Sequence, residues 1–213
     1  MSNVRRRMIL DLARPQKLYR YSEWQWLERS LRLGEFGLRP AADYKQLEAD
    51  VARRDDELVR LRTSPGELVT VTLHTGEKVR PIGDVTYRSE VGTNYLTLCF
   101  SERWDELLFS DFPGTDACLV VHDVHEFCER IHMSAEKVLP EWAGMDAKVV
   151  YGGSSLLGAV FSKPVNFIVQ HEWRFAWHPP ERVHHLEPVT LTIGSLERIA
   201  ELIQRPRSAS NDA

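Results

Sequence analysis

Three short segments carry residue types that could do chemistry together. "LYRY" sets Arg20 between Tyr19 and Tyr21, "LTLCFS" carries Thr97 and Ser101, and "VQHEWRF" carries Gln170, Glu172 and Arg174. Each reads as a strand, in which alternate side chains share a face. For residues 166–177 this puts Ile168, Gln170, Glu172, Arg174 and Ala176 on one face. Phe167, Val169, His171, Trp173 and Phe175 fall on the apolar one. One cation, one small hydroxyl and one carboxylate, each on its own strand, is the arrangement of a rigidly held ligand cleft. A solvated sheet surface would explain the same alternation more cheaply, and both readings stand at this point.

Other reactive residue types compete with that reading. His122, His125, Cys128 and His132 supply four N/S ligands, enough in number for a zinc site. However, His122 ends a strand while Cys128 and His132 lie on a helix, and no C-x-x-C supports them. Surface or core histidines are the simpler account, and no metal is expected. His184 and His185 are adjacent, so on a strand they point opposite ways and chelate poorly. Cys118 in "CLVV" and Cys99 between Leu98 and Phe100 read as buried structural thiols rather than nucleophiles. No P-loop, G-x-G-x-x-G or G-x-S-x-G occurs, and "YGGSSLLG" lacks the lysine and spacing of a phosphate cradle.

The elements that must position these residues follow from periodicity and punctuation. Residues 17–21 read as a short strand. "SEWQWLERSLRL" then reads as a helix, with Ser22 as N-cap and Gln25 completing a capping box. "GEFGLRP" is a second short strand broken at Pro40. Residues 43–62 place Tyr44, Leu47, Val51, Leu58 and Leu61 at helical spacing among many charges, an exposed amphipathic helix. "ELVTVTLHTGEKVRPIG" reads as a hairpin about Thr75-Gly76. In residues 94–101, Tyr95, Thr97, Cys99 and Ser101 share one face and Leu96, Leu98 and Phe100 the other. "DACLVVHD", "AKVVYGG" and "VTLTIG" are further strands and "VHEFCERIHM" a short helix. "SLERIAELIQ" reads as a final helix capped by Ser195. Helices early and strands later point to an α+β fold rather than alternating βαβ units.

The bulk numbers agree with a globular chain. Its 213 residues suit one domain, with a core over about 17–204 and loose ends. Hydrophobic residues at 43% and charged residues at 27% are ordinary, and a net charge of −4 argues against a surface that coats nucleic acid. Three cysteines form no even-numbered framework, which fits a reducing compartment. The basic start is followed by only Met8-Ile9-Leu10 before Asp11, too short for a signal peptide, and no segment approaches a membrane span. A cytoplasmic protein without a membrane partner is expected.

Taken in order, "LYRYSEWQWL", "LTLCFSERWDELLFSDFPGTDACLVV" and "FSKPVNFIVQHEWRFAW" resemble the ADP-ribosyltransferase superfamily. The likeness is greatest to a bacterial branch of uncharacterised chains with LYxY, CFS and ExEWR-like motifs. It spans about residues 17 to 178. The resemblance implies a split β-sandwich with N-terminal helices and NAD bound as substrate in a cleft between two small sheets. It also implies a catalytic set contributed by successive strands: Arg20, Ser101 and Glu172, with Gln170 in a Q-x-E. On that likeness Arg20 contacts the NAD phosphates or ribose, Ser101 braces the nicotinamide pocket and Glu172, and Glu172 binds the ribose hydroxyls. Thr97 lies on the same strand face as Ser101, and Tyr19 or Tyr21 would stack on a ring of NAD. The middle motif reads "LCFS" where the family has Ser-Thr-Ser. Gln170 resembles members that do not modify arginine, leaving another protein side chain, a nucleic-acid base or water as acceptor. An effector of the toxin or phage-defence kind, held by a neutralising partner protein, is the implied setting. The alternative is the same fold as an inactive nucleotide-sensing or protein-interaction module.

Overall fold

The structure is a computed structural model and describes residues 13–46 and 58–206. It is an α+β chain in which strands predominate. In chain order the elements are β1 (Leu18–Ser22), α1 (Trp24–Leu33), β2 (Glu35–Pro40), β3 (Val59–Ser64), β4 (Val71–Thr72), β5 (Lys78–Val79), β6 (Val85–Glu90), β7 (Leu96–Ser101), α2 (Leu108–Asp111), β8 (Ala117–Val121), α3 (Val124–Val138), β9 (Ala143–Lys148), β10 (Val150–Tyr151), β11 (Ser162–Lys163), β12 (Glu172–His178), β13 (Val189–Thr192) and β14 (Ala200–Gln204). The largest sheet runs β13-β2-β7-β1-β8-β14, with β12 on the other edge of β7 and β9 beyond it.

Strand β7 is the hinge of this layout. Along one edge it pairs with β12 over its whole length, from Glu172↔Ser101 to Trp177↔Leu96. Its other edge is shared. β2 pairs at Arg39↔Thr97 and Pro40↔Leu96, and β1 pairs only at Tyr19↔Ser101. β1 turns away to pair with β8 over five residues. Leu98, Cys99 and Phe100 therefore face a split between β1 and β2. The apolar residues Leu96, Leu98 and Phe100 pack with Phe127 and Ile131 of α3 and with Trp173, Phe175 and Trp177 of β12. The alternation expected for residues 94–101 is observed.

Several expected elements differ. Ser22 does not cap α1, because it is the last residue of β1 and pairs with Ala117. Glu23 takes the N-cap position, and Gln25 donates to the Glu23 carboxylate at 2.8 Å instead of closing a capping box. The Trp24 amide donates to Asp116 Oδ1 at 2.5 Å. In the segment expected as a charged helix, residues 41–46 form a 3₁₀ turn, and Leu47 and Val51 lie outside the described residues. Leu61 lies on strand β3, paired with Arg88 of β6. The Thr75-Gly76 hairpin is present, with Leu73 N donating to Glu77 O at 2.8 Å. The short helix at 124 extends to Val138.

The final helix is replaced by a strand. Ile199 and Ala200 amides both donate to Leu196 O, which makes one helical turn. The open edge of β8 then takes residues 200–204 as β14, from Ala200↔Val121 to Gln204↔Ala117. The i, i+3, i+4 spacing of Leu196, Ile199 and Ala200 is that single turn, and ladder hydrogen bonds outweigh helix propensity beyond it. No helix among the described residues is long and apolar enough to cross a membrane.

Candidate functional site

The split beside β7 opens into a cavity of about 270 Å³. Its lining includes Arg20, Thr97, Ser101, Gln170 and Glu172, together with Tyr19 and Tyr21. Of the residues singled out from the three segments, all but the fully buried Arg174 are thus brought to one concavity. Arg39, Tyr44 and Lys163 join them, and none of these three stood out in the sequence.

Arg20 reaches into the split from β1. Its Nη1 donates to the Cys99 carbonyl at 2.8 Å, and its guanidinium lies over Phe100 at 5.6 Å from the ring centroid. It bonds the β7 backbone at a residue where β1 and β2 have parted. Cys99 also lines the cavity, and burial pushes its thiol up to about 12, with Glu172 adding to the rise. A thiol so placed stays protonated and is no nucleophile at neutral pH.

Glu172 is 3% exposed, and its environment sets its charge. Arg174 Nε donates to Oε1 at 2.6 Å and Lys163 Nζ to Oε2 at 2.8 Å. Burial alone would raise the carboxyl, but Arg174 and Lys163 overcome it and hold the group well below the usual carboxylate range. Arg174 is fully buried and its Nη1 donates to the Val160 carbonyl at 2.6 Å. It is a carboxylate partner and a strut at once. The Glu172 amide donates to Tyr151 Oη at 2.8 Å.

The strand expected over 166–177 begins only at Glu172. Pro164 opens a 3₁₀ segment, Val165–Gln170, closed by amides bonding three residues back. His171 then takes a left-handed conformation, φ 41° and ψ 52°. The physical reason is the end of the ladder: β7 stops at Ser101, opposite Glu172. The Glu102 amide still reaches the His171 carbonyl at 2.7 Å, and the Phe167 and His171 amides turn back to Pro164 and Ile168. Trp173 and Phe175 face the core as expected, whereas His171 is a turn residue rather than core packing. Gln170 stays with Glu172 despite the lost alternation, because Lys163 Nζ also donates to Gln170 Oε1, at 2.9 Å.

Ser101 and Thr97 line the cavity with their hydroxyls engaged elsewhere. Ser101 Oγ donates to Arg103 O at 2.9 Å and accepts from Arg103 N at 3.1 Å, closing the turn after β7. Thr97 Oγ1 donates to Phe175 O at 3.0 Å. Tyr21 is 6% exposed, edge-on to Phe109, and its hydroxyl accepts from the Asp105 amide at 2.8 Å. Tyr19 packs at a steep angle on Trp104. Both tyrosines shape the wall through this packing.

Lys163 enters the site from a separate strand. It stands in "FSKP" nine residues before Glu172, on β11, whose parallel partner β10 pairs Tyr151 with Lys163. Nothing in period or motif marks it. The histidines weighed against a zinc site have carboxylate neighbours: His122 pairs with Glu201, His125 with Glu129, and His132 with Asp146. Cys128 is buried and donates weakly to Asp146. Among the described residues no group of three or more such side chains is set to hold a metal.

The cavity is therefore lined by three basic side chains, Arg20, Arg39 and Lys163, and a single carboxylate that is already ion-paired. Such a wall suits an anionic ligand, and its hydroxyls and rings suit a polar, ring-bearing one. Comparison of the chain with protein-family models, curated proteins and solved structures yields no match.

Proposed function

We propose that this cleft binds NAD and that the protein is an ADP-ribosyltransferase-like enzyme, passing ADP-ribose to a macromolecular acceptor or to water. The observation that supports the reading is the meeting of Arg20, Ser101, Gln170 and Glu172, from distant segments, on the wall of one cationic cavity. Arg20 and Arg39 suit the pyrophosphate, since guanidinium groups bond phosphate oxygens bidentately. The bond that breaks is the one between nicotinamide nitrogen and ribose C1′. Nicotinamide leaves neutral with the electron pair, and the positive charge passes to the ribose as an oxocarbenium-like centre. Glu172, ionised and held in place, stabilises that charge more than the ground state. The acceptor's oxygen or nitrogen, or water, then attacks C1′, and its proton passes to solvent.

The hydroxyl of Ser101 is turned to the Arg103 backbone, so in this reading Lys163 and Arg174 support Glu172 instead. The test is nicotinamide release from NAD by the full chain. Wild type is expected to release it and Glu172→Gln to do so about 100-fold more slowly or worse; equal turnover overturns the reading.

The same double ion pair favours a second reading, a nucleotide-sensing module without turnover, because the Glu172 carboxylate is already engaged on both oxygens. Calorimetry separates the two. Binding of NAD or ADP-ribose without nicotinamide release supports the module, and binding of neither ligand removes both.

A further inference from the structure

Lys163 bridges the two polar residues of the Q-x-E segment. One ammonium donates to Gln170 Oε1 at 2.9 Å and to Glu172 Oε2 at 2.8 Å. It is 7% exposed, lies over the Phe167 ring at 5.2 Å, and lines the cavity. Arg174, the other cation on Glu172, sits two residues along the same strand and is sealed in the core. Lys163 instead arrives from β11, a separate strand. We infer that Lys163 is a positioning residue of the cleft, fixing the Gln170 amide and the Glu172 carboxylate as one oriented unit on the cavity wall.

Two physical consequences follow. An ammonium only donates, so the Gln170 oxygen faces it and the amide NH₂ is the opposite end. In the NAD reading, on which this inference rests, Lys163 thereby fixes which way the Gln170 amide is turned beside Glu172. Its flipped form would put NH₂ against the ammonium and lose the bond. The charge on Glu172 is shared in control as well. Among the described residues, the groups facing it are Arg174, Lys163, the Tyr151 phenol and the Cys99 thiol. The last two stay neutral at neutral pH, both raised by burial, so the balance lies between the two cations.

The full chain carries the test. The Glu172 carboxyl is followed by ¹³C NMR from pH 7 to pH 3 in wild type and in Lys163→Met, with the resonance assigned by its loss in Glu172→Gln. Wild-type Glu172 is expected to stay ionised throughout. In Lys163→Met a titration midpoint enters this pH window, and Lys163→Arg restores the wild-type behaviour. A packing role for Lys163 would leave the carboxyl titration unchanged, and an unchanged titration overturns the inference. Where Lys163→Met does not fold, Lys163→Gln, which keeps a donor but no charge, carries the same reading. Nicotinamide release is measured alongside: the acid limb of its pH profile moves upward in Lys163→Met. A wild type that releases no nicotinamide while the carboxyl midpoint moves would sink the NAD reading and leave the role of Lys163 standing.

Discussion

Ser101 and Glu172 are direct partners across β7 and β12, and the Ser101 hydroxyl donates to the Arg103 carbonyl. The backbone register brings the second and third site segments together, whereas the polar contacts of Glu172 come from Lys163 and Arg174. Ser101→Ala is accordingly expected to loosen the turn at 101–103 by about 1 kcal/mol, the usual net worth of such a hydrogen bond. Turnover of NAD should fall less than about tenfold, since the charge stabilisation at Glu172 remains. Urea unfolding and nicotinamide release check the two halves.

Glu172→Gln removes a buried charge from between two cations that remain. Breaking a buried pair by removing one partner is costly, here on the order of 3 kcal/mol. Loss of activity and loss of stability therefore go together at this position, and denaturation midpoints must be measured beside turnover. A stable, inactive Glu172→Gln would mean that the ion pairs contribute little to folding.

Acid should weaken the fold through two carboxylates. The Asp146 side chain is only 6% exposed; burial would raise it, but His132 and Arg14 hold it down to about 2 from an ordinary 3.8. A depressed group contributes stability that is complete above its unfolded value and is lost as pH falls toward the folded one. That contribution should fade between about pH 4 and pH 2, and Asp146→Asn should flatten this part of the stability curve. Glu172, depressed further, acts in the same direction. Urea midpoints against pH give the measurement.

The three thiols should resist labelling in the native state. Burial pushes Cys99 and Cys118 up to about 12, and Cys128 higher still, with Asp146 adding to its rise. A disulfide reagent at pH 8 is expected to react slowly with folded protein and quickly in denaturant. Fast native labelling of one thiol, traced by mass spectrometry, would contradict this.

Gly34→Ala should destabilise without touching the cavity. Gly34 ends α1 in the left-handed region, φ 70°, and a Cβ there would run into the Gly194 backbone. Strain and clash together are expected to cost at least about 1 kcal/mol, read as a lower urea midpoint with NAD affinity unchanged.

The α+β class, the apolar alternation of Leu96, Leu98 and Phe100, the hairpin at Thr75-Gly76 and the polar residues Arg20, Gln170 and Glu172 are all legible in the chain. These are local properties, carried by period and by turn residues. The end of the chain reads as helix because Leu196, Ile199 and Ala200 suit one helical turn; the open edge of β8 takes the rest as strand. The strand expected over 166–177 starts at Glu172 instead, because β7 ends at Ser101 and past it the ladder does not continue beyond the Glu102 amide on the His171 carbonyl. The split between β1 and β2, and with it the cavity, exists only because β1 leaves β7 for β8. Lys163 is the plainest case. Its link to Glu172 is a contact between strands, made by a side chain whose own neighbours in the chain say nothing about where its charge will go.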